Sequence, residues 1–455
     1  MRKIEQRVRF CKLILLVFIL GIIVFLVRYK KDSGKWYTQP FNKNLYSGSG
    51  ELLTGTLTDR YGTILSGVDD GYRYYSGLPL VRTATLHTVG DRNNKIGTGA
   101  LTNLRDYLVP YNSRKGASAI SDRGNEVRLS IAADACVTAY TALDGKAGCI
   151  GVYNYKTGEI LCLVSAPSYD PNNVPEDIET NEAYDGIYVN RFFHSVYAPG
   201  SVFKTLTLQA ALEMIPDAAS RTYVCEGSVK VGDNTVTCPQ KHGKLTLSDA
   251  YAVSCNCVFS QLAVEIGGDK MTEYVRKAGL TSSYKIHGIS TAKGSFELAS
   301  STVNRLGWGG VGLYHDLVNP CSLMIYYGAI ANGGKAALPT YLYEVIDQKD
   351  RRLDIPETQF TSELVSPDTA ASLRIYMKNN MAKSYDSTRF PNVPIGAKSG
   401  TVEQQTGKSN SWFAGFIDSE EYPYAFVVFV EHGGSGSRVA GDIAAKVLNT
   451  LIAVP

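Results

Sequence analysis

The segment Tyr197-Ala-Pro-Gly-Ser-Val-Phe-Lys204, running on through Thr205-Leu-Thr-Leu-Gln-Ala-Ala-Leu-Glu-Met-Ile215, decides how this chain is read. Its apolar residues recur at helical spacing, and Pro199-Gly200 marks where the helix begins. Ser201 and Lys204 stand at i and i+3, so a hydroxyl and an amine share one face of the first turn. A serine at that end feels the positive pole of the macrodipole, which favours a developing alkoxide. A lysine one turn away can take the serine's proton only when it is neutral. Lowering a lysine from about 10.4 to about 7 costs roughly 4–5 kcal/mol at ~1.36 kcal/mol per unit. Burial or a second nearby cation supplies such a shift.

Outward from that helix the texture is that of an α+β fold. Residues 131–143 (IAADACVTAYTAL) read as a helix, and CIGVYNY and ILCLVS beyond them as two strands around a Lys-Thr-Gly-Glu turn. A polar segment rich in Pro, Asn, Asp and Tyr spans about 167–198, the composition of a functional loop. Residues 245–266 and 321–332 are helical by spacing. The runs AKSGTVE, NSWFAGFID and YAFVVFVEH alternate like adjoining strands, and 440–453 closes as a helix. Strands at both ends with helices between them predict an antiparallel sheet flanked by helices. Residues 51–125 hold short strand-like runs broken by Gly, Asp and Asn, the pattern of a small β-rich module. The expected division is 1–31 for a tail and anchor, 32–125 for a linker and pedestal module, and 126–455 for the main domain.

Two further signals follow the Ser-x-x-Lys pair in order. Ser254-Cys255-Asn256 lies in an apolar, helical context. Lys398-Ser399-Gly400-Thr401 opens a strand, where glycine permits close approach of a ligand and a lysine with two hydroxyls can hold a carboxylate. Each is common alone. In this order, SxxK, SxN and K[ST]G form the set of penicillin-binding proteins and serine β-lactamases.

The chain resembles a class B penicillin-binding protein, a peptidoglycan D,D-transpeptidase, in the short form without C-terminal extension domains. Arg191 and Tyr197–Lys204 are similar to the family's Y-x-P-G-S-x-F-K box. Lys156-Thr-Gly-Glu-Ile160 with Ser165-Ala-Pro-Ser-Tyr-Asp-Pro171, Ala329–Gly334 and Trp412–Phe416 match further family segments. Gly55-Thr-Leu-Thr-Asp-Arg-Tyr-Gly62 resembles the segment opening the N-terminal module. The resemblance implies that Ser201 attacks the penultimate D-Ala carbonyl of a stem peptide and that Lys204 takes its proton. It implies that Ser254 relays a proton to the departing D-Ala, with Asn256 completing the polar cluster and Lys398 supplying a cation that lowers Lys204. Ser399, Gly400 and Thr401 would bind the terminal carboxylate, and the N–H groups of Ser201 and Thr401 would form the oxyanion hole. β-Lactams would acylate Ser201, and no metal or organic cofactor is called for. Ser399 stands where threonine is more usual, which keeps the hydroxyl. A SEDS-type glycan polymerase is the implied protein partner, met through the anchor and the module 51–125.

The rival readings are a class D-type β-lactamase, a β-lactam sensor, an inactive wall-synthesis scaffold and a D,D-carboxypeptidase that lets water resolve the acyl-enzyme. The stretch before residue 126 is too short for a glycosyltransferase domain. The six His residues show no HExxH spacing, and Gly407-Lys408-Ser409 lacks the first glycine of a P-loop.

Residues 13–27 (LILLVFILGIIVFLV) carry no charge, and Arg2, Lys3, Arg7, Arg9 and Lys12 precede them. With Phe10 and Cys11 the run spans a bilayer, 10–27, as an uncleaved anchor with the remainder outside the cytoplasm. The balance of 46 basic against 43 acidic residues, net +3 over 455 residues, argues against a protein that coats nucleic acid. Eight of nine cysteines lie beyond the anchor without paired CxxC spacing, which speaks against a zinc ribbon. Cys225 and Cys238 flank a hairpin-like stretch, and the sequence leaves open whether they form a disulfide. Cys136, Cys149, Cys162, Cys255, Cys257 and Cys321 sit in apolar runs and read as buried thiols.

Overall fold

The architecture comes from a computed structural model, which describes residues 2–112, 116–117, 124–299, 301–404 and 407–453. The stretches 113–115 and 118–123 of the predicted N-terminal module lie outside the described residues. The central sheet is five-stranded and antiparallel throughout. Its order is Ile395–Glu403, Ser409–Ile417, Tyr424–Val430, Gly148–Asn154, Ile160–Ala166. The first and last parts of the main domain thus pair side by side, as the two groups of strand-like runs predict.

Helices cover both faces of this sheet. Gly328 of the helix Pro320–Ala331 meets Tyr153, which shares a sheet face with Phe416 through Ala425. Gly441 of the C-terminal helix Gly441–Ala453 meets Phe413, three positions from Phe416 and so on the other face. Every residue of Pro320–Ala331 is buried, which explains why its sequence is apolar all round. The C-terminal helix packs with Ala133–Leu143 on its own side.

The N-terminal module has the expected strands and adds short helices to them. Thr56–Thr58, Ile64–Asp69 and Tyr72–Tyr75 are strands, but Pro79–Val89, Ala100–Asn103 and Arg105–Leu108 are helices. The first of these, PLVRTATLHTV, is rich in β-branched residues; burial and a proline at its first turn override that propensity. Glu126–Leu129 and Leu342–Ile346 complete a five-stranded mixed sheet, in which Thr56–Thr58 runs parallel to Glu126–Leu129. Arg73 ties this sheet together from inside. Its guanidinium donates to Leu52 O at 2.6 Å, Thr54 O at 2.6 Å and Ser66 Oγ at 3.0 Å. One apolar core runs from Leu45 to Leu451 through both sheets.

The N-terminal helix, Arg2–Tyr37, is longer than its apolar run and takes in the start of the expected linker. Its apolar window is wholly unburied and long enough to cross a bilayer.

Candidate active site

Ser201 lies in a single 3₁₀ turn, Gly200–Phe203, that leads without a break into the helix Lys204–Met214. Several contacts fix this turn. Gly200 N donates to Gly312 O at 2.8 Å, and a Cβ on Gly312 would come within 2.1 Å of Gly200 O. Trp412 Nε1 donates to Ala198 O at 2.9 Å. Tyr197 stacks on Phe429 with ring centroids 3.8 Å apart, and its hydroxyl donates to Glu431 Oε1 at 3.2 Å. Arg191 Nε meets that same carboxylate oxygen at 2.9 Å.

Lys204 is fully buried one turn from Ser201. Its Nζ has four oxygens around it: Ser201 Oγ at 3.1 Å, Ser254 O at 2.7 Å, Ser254 Oγ at 3.1 Å and Asn256 Oδ1 at 2.7 Å. The carbonyl of Ser254 and Oδ1 of Asn256 can only accept. They occupy the two hydrogens of a neutral amine and leave its lone pair to a hydroxyl. Asn256 is held in that orientation because its Nδ2 donates to Thr237 O at 2.9 Å. Burial is the first cause that takes Lys204 from its ordinary 10.5 down to about 7.

Ser254 differs from its sequence reading. It lies in the turn between the helices Leu247–Ala252 and Asn256–Ile266, with φ at +55°. That left-handed conformation costs a non-glycine residue energy, and such strain clusters at functional sites. The turn aims both the carbonyl and the hydroxyl of Ser254 at Lys204.

Lys398 is also buried, and its Nζ lies 3.1 Å from Ser254 Oγ and 3.0 Å from Ser399 O. Burial first, then the charge of Lys204, holds it well below the ordinary lysine value. Both amines are lowered first by leaving water, and the two cations repel each other.

The strand Ile395–Glu403 brings Lys398, Ser399, Gly400 and Thr401 alongside the Ser201 turn. Gly400 is needed for a reason other than ligand approach. A Cβ there would sit 3.0 Å from Pro199 O and 3.3 Å from Trp412 Cβ, so it is the chain's own turn that comes close. Ser399 and Thr401 share the opposite strand face. Tyr385, which sequence reading missed, donates its hydroxyl hydrogen to Ser399 Oγ at 3.0 Å and accepts from Ser399 N at 2.8 Å. Gly436 N donates to Thr401 Oγ1 at 3.0 Å. Both hydroxyls thus accept from the protein and keep their own hydrogens to donate. Tyr385 ends the helix Pro367–Ser384, 14 residues before Ser399 and outside any motif, so only the fold reveals it. Thr205 was missed likewise: its Oγ1 bridges Tyr251 OH at 2.8 Å and Tyr327 OH at 2.9 Å beneath the helix Lys204–Met214.

Cys225 and Cys238 are free thiols rather than a disulfide, and both lie beside Cys255 and Cys257 just behind Asn256.

Comparison with known proteins agrees with this geometry. The family described as "Penicillin binding protein transpeptidase domain" matches residues 148–451. The peptidoglycan D,D-transpeptidase PbpA of Mycolicibacterium smegmatis is 28% identical over 359 residues, 73% of this chain and 72% of the relative. Penicillin-binding protein 3 of Bacillus subtilis is 23% identical over 390 residues, covering 79% of this chain and 57% of its own length. Among solved structures, the D,D-transpeptidase domain of a peptidoglycan glycosyltransferase from Eggerthella lenta superposes with a TM-score of 0.76. It is 26% identical and covers 88% of this chain and 98% of its own. PBPA from Mycobacterium tuberculosis gives a TM-score of 0.75 at 22% identity, with coverages of 88% and 99%. The chain belongs to the penicillin-binding protein transpeptidase family, and its relatives place it with the class B members.

Proposed function

We propose that the protein is a membrane-anchored peptidoglycan D,D-transpeptidase that cross-links stem peptides through an acyl-enzyme on Ser201 and is a target of β-lactams. The observation that carries this reading is the convergence on Lys204 Nζ of Ser201 Oγ, Ser254 Oγ and Asn256 Oδ1, all within 3.1 Å. Neutral Lys204 takes the proton as Ser201 Oγ attacks the penultimate D-Ala carbonyl. The C–O bond forms, and the carbonyl oxygen becomes an oxyanion facing the N–H groups of Ser201 and Thr401. Ser254 Oγ, in reach of both lysines, passes a proton to the D-Ala nitrogen as the C–N bond breaks. The amine of a neighbouring stem peptide then attacks the ester, gives up a proton through the same groups, and frees Ser201. The hydroxyls of Ser399 and Thr401 donate to the substrate's terminal carboxylate.

Relatives support the β-lactam part. Penicillin-binding protein A of M. tuberculosis has been solved as acyl-enzymes with ceftriaxone, imipenem and penicillin G. In this reading the helix Arg2–Tyr37 anchors the chain with residues beyond it outside the cytoplasm, and the units are 1–31, 32–125 and 126–455. A SEDS-type polymerase meets the anchor and the N-terminal module, where Tyr72, Leu78 and Leu80 are exposed. A PBP2 of Helicobacter pylori has been solved in complex with MreC, so protein partners do occur among similar structures.

The test is donor turnover by the full chain on a stem-peptide mimic ending in D-Ala-D-Ala, with an amine acceptor present. Release of D-Ala with a matching amount of cross-linked product supports transpeptidation. Release of D-Ala with only the hydrolysed donor marks a carboxypeptidase, and a single release of about one D-Ala per chain, with the acyl group left on Ser201, marks a sensor.

A further inference from the structure

Behind the turn that carries Ser254 and Asn256 lie four sulfurs. Cys225 ends the strand Tyr223–Cys225, and Cys238 follows the strand Asn234–Thr237. Cys255 and Cys257 stand on either side of Asn256 at the start of the helix Asn256–Ile266. All four Sγ atoms lie within 4.8 Å of one another. Cys225, Cys255 and Cys257 are buried and Cys238 is half-buried.

We propose that Cys225, Cys238, Cys255 and Cys257 form a tetrathiolate site for one Zn²⁺, which pins the active-site turn bearing Ser254 and Asn256. Tetrahedral zinc with Zn–S bonds of about 2.3 Å sets its four sulfurs roughly 3.8 Å apart. The cluster brackets that spacing, with Cys238 Sγ and Cys255 Sγ at 3.6 Å. The same separation is far beyond a disulfide bond of about 2.05 Å. An iron–sulfur cluster spreads its four thiolates over two or four irons, so it sets some of the sulfurs further apart than one shared ion does.

The surroundings are those of thiolate ligands. The backbone N–H groups of Asn256 and Cys257 both point at Cys238 Sγ, at 3.1 and 3.4 Å. His242 Nδ1 lies 3.4 Å from Cys225 Sγ and can orient it from outside the coordination sphere. Four protein ligands close the tetrahedron and leave no open position, so the ion is structural and takes no part in acyl transfer. Binding replaces four thiol protons with one cation, and the protons go to solvent. Four thiols this close, left without an ion in an oxidising compartment, are prone to oxidation to disulfides. The sequence conceals the site because its spacing is Cys-x₁₂-Cys with a distant Cys-x-Cys, and two hairpin strands and a helix start must meet to build it.

The consequence lies one residue away on each side. Asn256, between two of the ligands, places Oδ1 2.7 Å from Lys204 Nζ. Ser254, next to Cys255, holds its left-handed φ. The ion is thus a clamp on the wall that faces the nucleophile.

The experiment uses the untagged full chain purified in detergent without added metal. Elemental analysis should find about one zinc per chain. Replacement by Co²⁺ should give thiolate charge-transfer and tetrahedral d–d bands. The variant C225S/C257S should lose both signals. Stripping zinc from the wild type with a chelator should slow penicillin acylation at least about fivefold, and added Zn²⁺ should restore it, a readout that does not depend on a variant folding. Disulfides among these cysteines in the mass spectrum, four thiols that alkylate in the native state without taking up Zn²⁺ or Co²⁺, or zinc retained in the double variant would each overturn the proposal. Metal content is read separately from labelling of Ser201, so its failure leaves the catalytic reading untouched.

Discussion

Lys204 and Lys398 reach one hydroxyl: each Nζ lies 3.1 Å from Ser254 Oγ. Both side chains are buried, and two ammonium groups so placed repel each other in a site with little water to screen them. The pair is therefore poised to hold one proton rather than two near neutral pH, with Ser254 between its members. In the proposed mechanism this arrangement lets Lys204 act as the base.

The first prediction is a pH profile. Lys204 is lowered to about 7, so its neutral, proton-accepting form grows as pH rises through that value. The second-order rate of penicillin acylation should climb about tenfold per unit below pH 7 and level off above it. Stopped-flow labelling with a fluorescent penicillin measures it. Lys204→Arg should be no better than Lys204→Met, each losing about 10²–10⁴ in rate, because guanidinium does not give up its proton. A flat profile, or an active arginine variant, contradicts the role of Lys204.

Stability should carry the same signature. Folding lowers Lys204 from 10.5 to about 7, so between those values the unfolded chain binds more protons than the folded one. The slope of unfolding free energy with pH is then positive: the cost of the buried amine is full below pH 7 and relieved as pH rises. Thermal melts from about pH 7 to 9, below the range where tyrosines ionise in the unfolded chain, should show Tm rising more steeply in the wild type than in Lys204→Met.

The central sheet, the helix Lys204–Met214 and the three motifs were legible because their signals are local. The continuous apolar run in Tyr424–Val430 and the helical spacing after Lys204 each reflect burial of a single element. What escaped depends on distant segments meeting. Tyr385, at the end of the helix Pro367–Ser384, touches Ser399, and Pro79–Val89 is helical against its β-branched composition because the core covers it. Glu126–Leu129 and Leu342–Ile346 complete the N-terminal sheet although the first starts the main domain and the second lies more than two hundred residues on. The four cysteines show the same effect, since no spacing rule foretells that two strands will end at one helix start.

Tyr385 supplies a test of the carboxylate subsite. Its hydroxyl both accepts from Ser399 N and donates to Ser399 Oγ. Tyr385→Phe leaves that N–H without its partner and frees the Ser399 hydroxyl to turn, at a cost of about 1–3 kcal/mol in stability. The reversible first step of penicillin binding should weaken about tenfold, as the loss of one well-placed hydrogen bond would give. The acylation step itself should stay within about threefold. An unchanged first step would remove Ser399 from carboxylate recognition.

Ser254 separates strain from chemistry. At φ +55° a glycine is at ease, so Ser254→Gly should fold with a Tm equal to or above that of the wild type. It also deletes the hydroxyl that both lysines share. Acylation should fall by about 10²-fold or more while circular dichroism and melting stay intact. A glycine variant that acylates normally would show that the hydroxyl relays nothing.

The most direct measurement of the central claim is the mass of the full chain after exposure to penicillin G, with the modified peptide then sequenced. The account predicts one penicilloyl adduct per chain, on Ser201, that persists for many minutes and is absent from Ser201→Ala. A folded wild type that gains no adduct, or an adduct on another residue that survives in Ser201→Ala, would contradict it.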